Sequence, residues 1–250
     1  MTHDNRTIVW LAAALAATLG ISTGCDDSMD SGDSSGDGLT VRGTFIDLGT
    51  DEPMTEPVNM TVVTADGSTL NSVEIIVDGS QFELRGVPAD TRLHFRAFSP
   101  LYLDTFNEWT GDETDLDEHR IYVASFVYIE QTALSFGLSQ QLNKAVLIGT
   151  VVDTSGNPIP DVRGSSIAVN SDPLRSGPYL FDDDMLPDMN RLTTSNSGGF
   201  VFFNIPAQPF EMVALPGSDY SMFTEETPTA ALSVNLFDVV VTDQPAAEDP

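Results

Sequence analysis

The chain has 250 residues, 41% of them hydrophobic, with 38 acidic against 10 basic side chains and a formal charge of -28. That length allows one large or two small domains, and the apolar fraction is enough to build cores, which excludes wholesale disorder. The charge excludes binding along a nucleic-acid backbone, which needs Lys and Arg to displace counterions, and opposes docking on anionic lipid; cations and basic partners are what such a surface attracts.

The first element is an uncharged apolar run, Thr7 to Gly20, of the length of a signal-peptide core and short for a membrane span. Ser22-Thr23-Gly24 follow, and then Cys25, the single cysteine. A lone cysteine excludes a disulfide within the chain and, with so few histidines, a zinc cluster. The small residues before Cys25 resemble the bacterial lipobox, although Ser22 stands where that family usually carries an aliphatic residue. The resemblance implies that residues 1–24 are a lipoprotein signal peptide and that Cys25 becomes the first mature residue, bearing the acyl chains. Residues 25–38 continue as DDSMDSGDSSGDG after the cysteine, a composition that buries nothing and reads as an acidic flexible tether.

Beyond residue 38 the chain reads as strands. Val58, Met60 and Val62 alternate with polar neighbours, as do Leu93, Phe95 and Ala97, and Ile121, Val123, Val127 and Ile129 continue the period of two. Asp66-Gly67 and Asp78-Gly79 between such runs are hairpin signals. No helical period is sustained for three turns, so the expected class is all-β, with short strands separated by Gly, Pro, Asp and Ser turns.

An internal repeat organises these strands. Val41-Arg-Gly43-Thr44-Phe45-Ile46-Asp47 aligns with Leu147-Ile-Gly149-Thr150-Val151-Val152-Asp153, an offset of 106 (147 − 41). Gly79-Ser-Gln-Phe82-Glu-Leu84-Arg-Gly-Val87-Pro88 aligns with Ser197-Gly-Gly-Phe200-Val-Phe202-Phe-Asn-Ile205-Pro206, an offset of 118 (197 − 79). The second copy therefore carries extra residues between its blocks. The Gly-Thr-Val-Val-Asp strand, the Gly156-Asn157-Pro158-Ile159-Pro160 turn and the later Gly-Phe-x-Phe-x-x-Ile-Pro block resemble carboxypeptidase regulatory-like domains. That resemblance implies two tandem Greek-key β-sandwiches of the transthyretin-like, seven-stranded kind, at 39–140 and 144–243, with 244–250 a disordered tail. Gly43 and Gly149 mark where a strand lets another backbone approach closely or bulges, Phe82 and Phe200 plug the cores, and Pro88 and Pro206 end their strands.

Candidate chemistry is sparse. His94, between Leu93 and Phe95, is expected to face solvent, and His119 closes the acidic loop 111–118. Neither a Gly-x-Ser-x-Gly elbow nor a His-Glu-x-x-His motif occurs, so a catalytic function is not expected. Two acidic clusters are candidate calcium loops, Asp112, Asp115 and Asp117 in one and Asp182, Asp183 and Asp184 in the other; solvated charge runs are the plainer reading of both. Tyr102, Phe106 and Trp109, on an expected loop from 99 to 110, are candidates to stack on a sugar or peptide, or else to fold back over the core. The sequence thus predicts a non-enzymatic, lipid-anchored protein of the cell envelope, at the outer membrane and facing periplasm or surface. Its sandwiches bind or space, with no cofactor unless calcium, the membrane as one partner and an envelope protein or glycan as the other. A hydrolase-accessory role, or weak calcium-dependent binding of carbohydrate or peptide, is the alternative.

Overall fold

A computed structural model describes residues 38–110, 115–170, 177–214, 220–224 and 227–243. The fold is all-β, with one short α-helix and one 3-10 turn among the described residues. The first sandwich contains β1 (Leu39–Asp47), β2 (Asn59–Thr64), β3 (Glu74–Asp78), β4 (Gln81–Val87), β5 (Arg92–Phe98), β6 (Asp104–Thr110) and β7 (Leu116–Val123). One sheet runs β3-β4-β1-β7 and the facing layer runs β2-β5-β6. Alternation sets which side chains meet between them: Val41 and Phe45 of β1 and Leu93, Phe95 and Ala97 of β5 join Phe82, Leu84 and Trp109 in one core. The Asp78-Gly79 signal is a hairpin between β3 and β4, with Gly79 at φ +61.

The second sandwich repeats this plan with β8 (Lys144–Val152), β9 (Ile167–Val169), β10 (Tyr179–Phe181), β11 (Pro187–Asp188), β12 (Gly199–Pro206), β13 (Met212–Ala214), β14 (Tyr220–Phe223) and β15 (Ser233–Asp243). Its β9-β13-β14 layer matches β2-β5-β6, and its β10-β12-β8-β15 sheet matches β3-β4-β1-β7. The repeated motif acquires a physical meaning here. Gly43 stands opposite Phe82 and Gly149 opposite Phe200 in the same antiparallel register, and in each copy the ring lies across the strand where a Cβ would be. Gly86 and Asn204 occupy equivalent positions at φ +76 and +58, each inside a register slip that bulges the strand just before its proline. The turn after the first strand is also shared. Asp47 Oδ1 accepts from Gly49 N at 2.7 Å, and Asp153 Oδ1 accepts from Ser155 N at 2.8 Å.

The two sandwiches are not separate beads. Strand β15 runs parallel to β8, and its first residues, Ser233 to Leu236, also run parallel to Asp104–Asn107 of β6 in the first sandwich. One sheet therefore passes through β2-β5-β6-β15-β8-β12-β10-β11 and crosses both modules. In the second copy β14 pairs with the far end of β15, from Val240 to Asp243. In the first copy β6 does not pair with β7 in the matching way. Asn107 bridges that gap instead: its Oδ1 accepts from Tyr122 N at 2.8 Å and its Nδ2 donates to Tyr122 O at 2.9 Å.

Helix α1 (Phe126–Ser135) covers the joint. Ser125 caps it by accepting from Tyr128 N at 3.1 Å. Gly137 at φ +74 ends it, with Leu138 N donating to Ala133 O and Gly137 N to Leu134 O. Ile129 and Ala133 lie one turn apart on its inner face and close a third core with Leu103, Val146, Ile148, Val201 and Phe203. The strand expected through Val127 and Ile129 is thus a helix; their period-two spacing is a coincidence of two apolar residues in a capped segment of 10. The expected loop from 99 to 110 is also corrected, since residues 104–110 form β6. Among the described residues no helix is long and apolar enough to cross a membrane.

A candidate binding groove at the joint

Where β6 parts from β15, a concavity of about 750 Å³ opens between the sandwiches. Its floor is the face of β8 and β15 that helix α1 leaves uncovered. There Thr150 stands beside Asp238 and Val152 beside Val240 in parallel register. One wall is β6 and β7, contributing Glu108, His119, Arg120 and Tyr122; the other is the loops holding Asp183, Met185 and Ser197.

The charges are arranged in pairs and remainders. Arg92 Nε meets Glu108 Oε1 at 2.5 Å, both side chains being mostly buried, and Arg92 Nη2 donates to Thr227 Oγ1 of the second sandwich at 2.9 Å. The other oxygen of Glu108 is buried without a hydrogen-bond partner. Asp238 is exposed at the floor, yet desolvation by the protein around it, with the Glu108 charge added, pushes its carboxyl up to about 6 against the opposing hydrogen bond to Thr150. Arg120 is ion-paired with Asp51 and lies 5.1 Å over the Tyr122 ring. Burial, with the Asp51 charge, raises the Tyr122 hydroxyl to about 12 against the opposing pull of Arg120. Asp183 accepts from Asn196 N and Nδ2, both at 3.0 Å, and these bonds hold its carboxyl below the usual range.

The residues singled out in the sequence are dispersed. Cys25 and Asp112 lie outside the described residues. Asp115 accepts from Thr40 N at 2.7 Å and Asp117 pairs with Arg42 at 3.3 Å, on the outer edge of the first sandwich. Asp182 Oδ1 accepts from Asp184 N at 3.0 Å and Leu186 N at 2.8 Å, turning its own hairpin. Among the described residues no three His, Cys, Asp or Glu side chains gather to hold a metal ion.

The aromatic trio does not form one face, because strand alternation sends Phe106 and Trp109 to opposite sides of β6. Trp109 is buried in the first core, 5.6 Å from Phe95. Phe106 is buried under the Arg96 guanidinium at 5.7 Å, and Tyr102 donates to Asp47 Oδ2 at 2.6 Å. His94 is the clearest correction: expected in solvent, it is 1% exposed. It does face away from Leu93 and Phe95, but on that side it stands between Val63 and Glu108 of the neighbouring strands, where Arg92 also meets Thr227 of the second sandwich. Burial, with Arg92 adding to it, lowers the imidazole to about 3, and its Nε2 has no hydrogen-bond partner.

His119 does line the groove, its ring edge-on to Phe95 at 5.9 Å. Ser197, a hydroxyl on the far wall, is committed elsewhere: its Oγ donates to Asp182 O at 2.9 Å and accepts from Gly199 N at 3.2 Å. The residues missed in the sequence are Arg92, Glu108 and Asp238. Asp238 carried a signal, as the one charge inside the apolar run from Val234 to Val241. Arg92 and Glu108 carried none, because their pairing needs β5 and β6 set in register.

No protein-family model matches the chain, and no curated protein matches it. The carboxypeptidase regulatory-like resemblance therefore rests on the quoted motifs. Solved structures similar to the chain include pilins of Gram-positive bacteria. A streptococcal ancillary pilin is 12% identical over 83% of this chain and 69% of that one, with a TM-score of 0.27. The minor pilin GBS52 of Streptococcus agalactiae is 12% identical over 85% and 99%, with a TM-score of 0.27. The shaft pilin SpaA of Lactobacillus rhamnosus GG is 11% identical over 83% and 98%, with a TM-score of 0.25. At these scores the likeness goes no further than a shared β-rich class.

Proposed function

We propose that this chain is a lipid-anchored cell-envelope protein whose two sandwiches work as one rigid binding module, held off the outer membrane by the acidic stretch 26–38. The observation that carries the reading is the pairing of β15 with β6 on one side and β8 on the other. A spacer needs only modules in a row; a shared sheet fixes their relative orientation and so builds a groove from both. The groove presents recognition groups on rigid strands, and its Ser197 hydroxyl is hydrogen-bonded within the fold instead of being aimed at a histidine. The partner is an envelope protein or a glycan, with the membrane reached through the acyl chains on Cys25.

Intact-mass measurement of the full-length protein extracted from membranes tests the anchor. The expected chain begins at Cys25 and carries diacylglyceryl mass, and Cys25→Ala shifts folded protein to the soluble fraction. A mature chain beginning elsewhere, or one without acyl mass, refutes it.

A further inference from the structure

We propose that the groove takes a short extended peptide bearing a Lys or Arg side chain, with its apolar residues on the β8–β15 face and its cation against Asp238. The proposal rests on reading the groove as a binding face and is independent of the lipid anchor.

The floor makes the first argument. Helix α1 covers Val146 and Ile148 on this side of the sheet and leaves Thr150, Asp238 and Val240 open, Val240 being 45% exposed. An uncovered strip of a strand pair that sets a valine pair beside Thr150 and one carboxylate suits a guest that is itself extended and amphipathic. Asp238 is exposed on this strip, with Thr150 hydrogen-bonded to it and no cationic side chain on the floor among the described residues, so a guest cation reaches the carboxylate from its open side.

Charge makes the second argument. Both guanidinium groups of the groove are already matched, Arg92 by Glu108 and Arg120 by Asp51. Asp238 and Asp184 line the cavity with no cation at ion-pair distance among the described residues, and one oxygen of Glu108 is without a partner. The lining sets four carboxylates, Glu108, Asp183, Asp184 and Asp238, against Arg92, Arg120 and His119, and both arginines are already paired, so a guest ammonium or guanidinium is better matched than an anionic guest. A sugar is less well served: the face of Tyr122 is occupied by Arg120.

Fluorescence anisotropy on the full-length protein in mild detergent tests this, with a short labelled peptide of alternating Lys and Val and a matched peptide of Glu and Val. The Lys–Val peptide is expected to bind and the Glu–Val peptide to stay free. Asp238→Asn is expected to weaken binding by about tenfold or more, the loss of one charged hydrogen-bond partner. Asp78→Asn removes the same charge from an exposed hairpin outside the groove and is expected to leave affinity unchanged. Val240→Arg, which places a cation of the chain itself over the floor, is expected to abolish binding and serves if Asp238→Asn misfolds. Equal losses in the Asp238 and Asp78 variants would assign the binding to bulk charge and overturn the proposal. So would equal binding of both peptides, no binding of the Lys–Val peptide, or no effect of Val240→Arg. Membrane attachment is read by mass, so neither result determines the other.

Discussion

The paired glycines allow a quantitative test of the repeat. At Gly149 an added Cβ stands 2.3 Å from Phe200 Cζ, with the two Cε atoms at 2.8 and 3.0 Å. Carbon atoms rest about 3.5–4.0 Å apart, so the fully buried Phe200 ring must give by more than an ångström at its tip. Overpacking of this kind costs about 1–3 kcal/mol. At Gly43 the Phe82 ring is also close, at 2.8 Å, but the tightest contact is the carbonyl oxygen of His119 at 1.8 Å. That oxygen belongs to the parallel partner β7, beside the register shift that precedes His119. Gly43→Ala must therefore move backbone, and its cost lies at or beyond the top of the same range. The two sites separate in a double-mutant cycle. Phe200→Leu removes the ring atoms that the Gly149→Ala methyl meets, so that pair should show a favourable coupling of about 1–2 kcal/mol. Phe82→Leu leaves the His119 carbonyl in place and should relieve Gly43→Ala little. Guanidinium unfolding, followed by far-UV circular dichroism and by the buried Trp109, reads all six variants. Equal couplings at the two sites would refute the distinction between a ring clash and a backbone clash.

His94 gives a pH dependence of defined sign. Its pKa is lowered on folding from 6.5 to about 3, so the unfolded chain takes up the proton first and stability falls as pH drops below 6.5. Over the interval from 6.5 to 5 the loss is about 2 kcal/mol; His94→Leu should flatten the melting-temperature profile there, and an unchanged slope would show that the imidazole is not held neutral. Asn107→Leu strips Tyr122 of its backbone partners and should cost about 1–3 kcal/mol. Hydrogen exchange should speed first at the Tyr122 amide, and uniform loss of protection would place the damage elsewhere.

The sequence displayed the repeat because its physical causes are local. The Gly-Thr strand with its Asp-led turn, and the Phe strand with its bulge before proline, are each a block of a few consecutive residues and recur in both copies. Helix α1 was concealed by brevity: Ser125 and Gly137 are proper caps, yet ten residues between them hold too few apolar positions to separate a period of 3.6 from one of 2. His94 lies on the expected face of β5 and only the solvent is replaced, since the other copy reaches that face through Thr227 on Arg92. The same limit hid the groove. Arg92, Glu108 and Asp238 come together only when the edge of one sandwich is joined to the other, and repeat alignment compares the copies without showing where they touch.

That joint has a consequence for the order of events when the chain is made. Ser233 to Leu236 pair with Asp104 to Asn107, a separation of 129 positions (233 − 104). The first module can gather its own core as soon as β7 has emerged, but β6 then waits, with one row of amides and carbonyls open, for the latest-made strand of those described. Until β15 arrives, half of a sheet is a template for whatever extended chain is nearby. Completion is thus a single late step that closes both modules at once, and a chain interrupted before residue 233 would be a folded fragment with an adhesive edge.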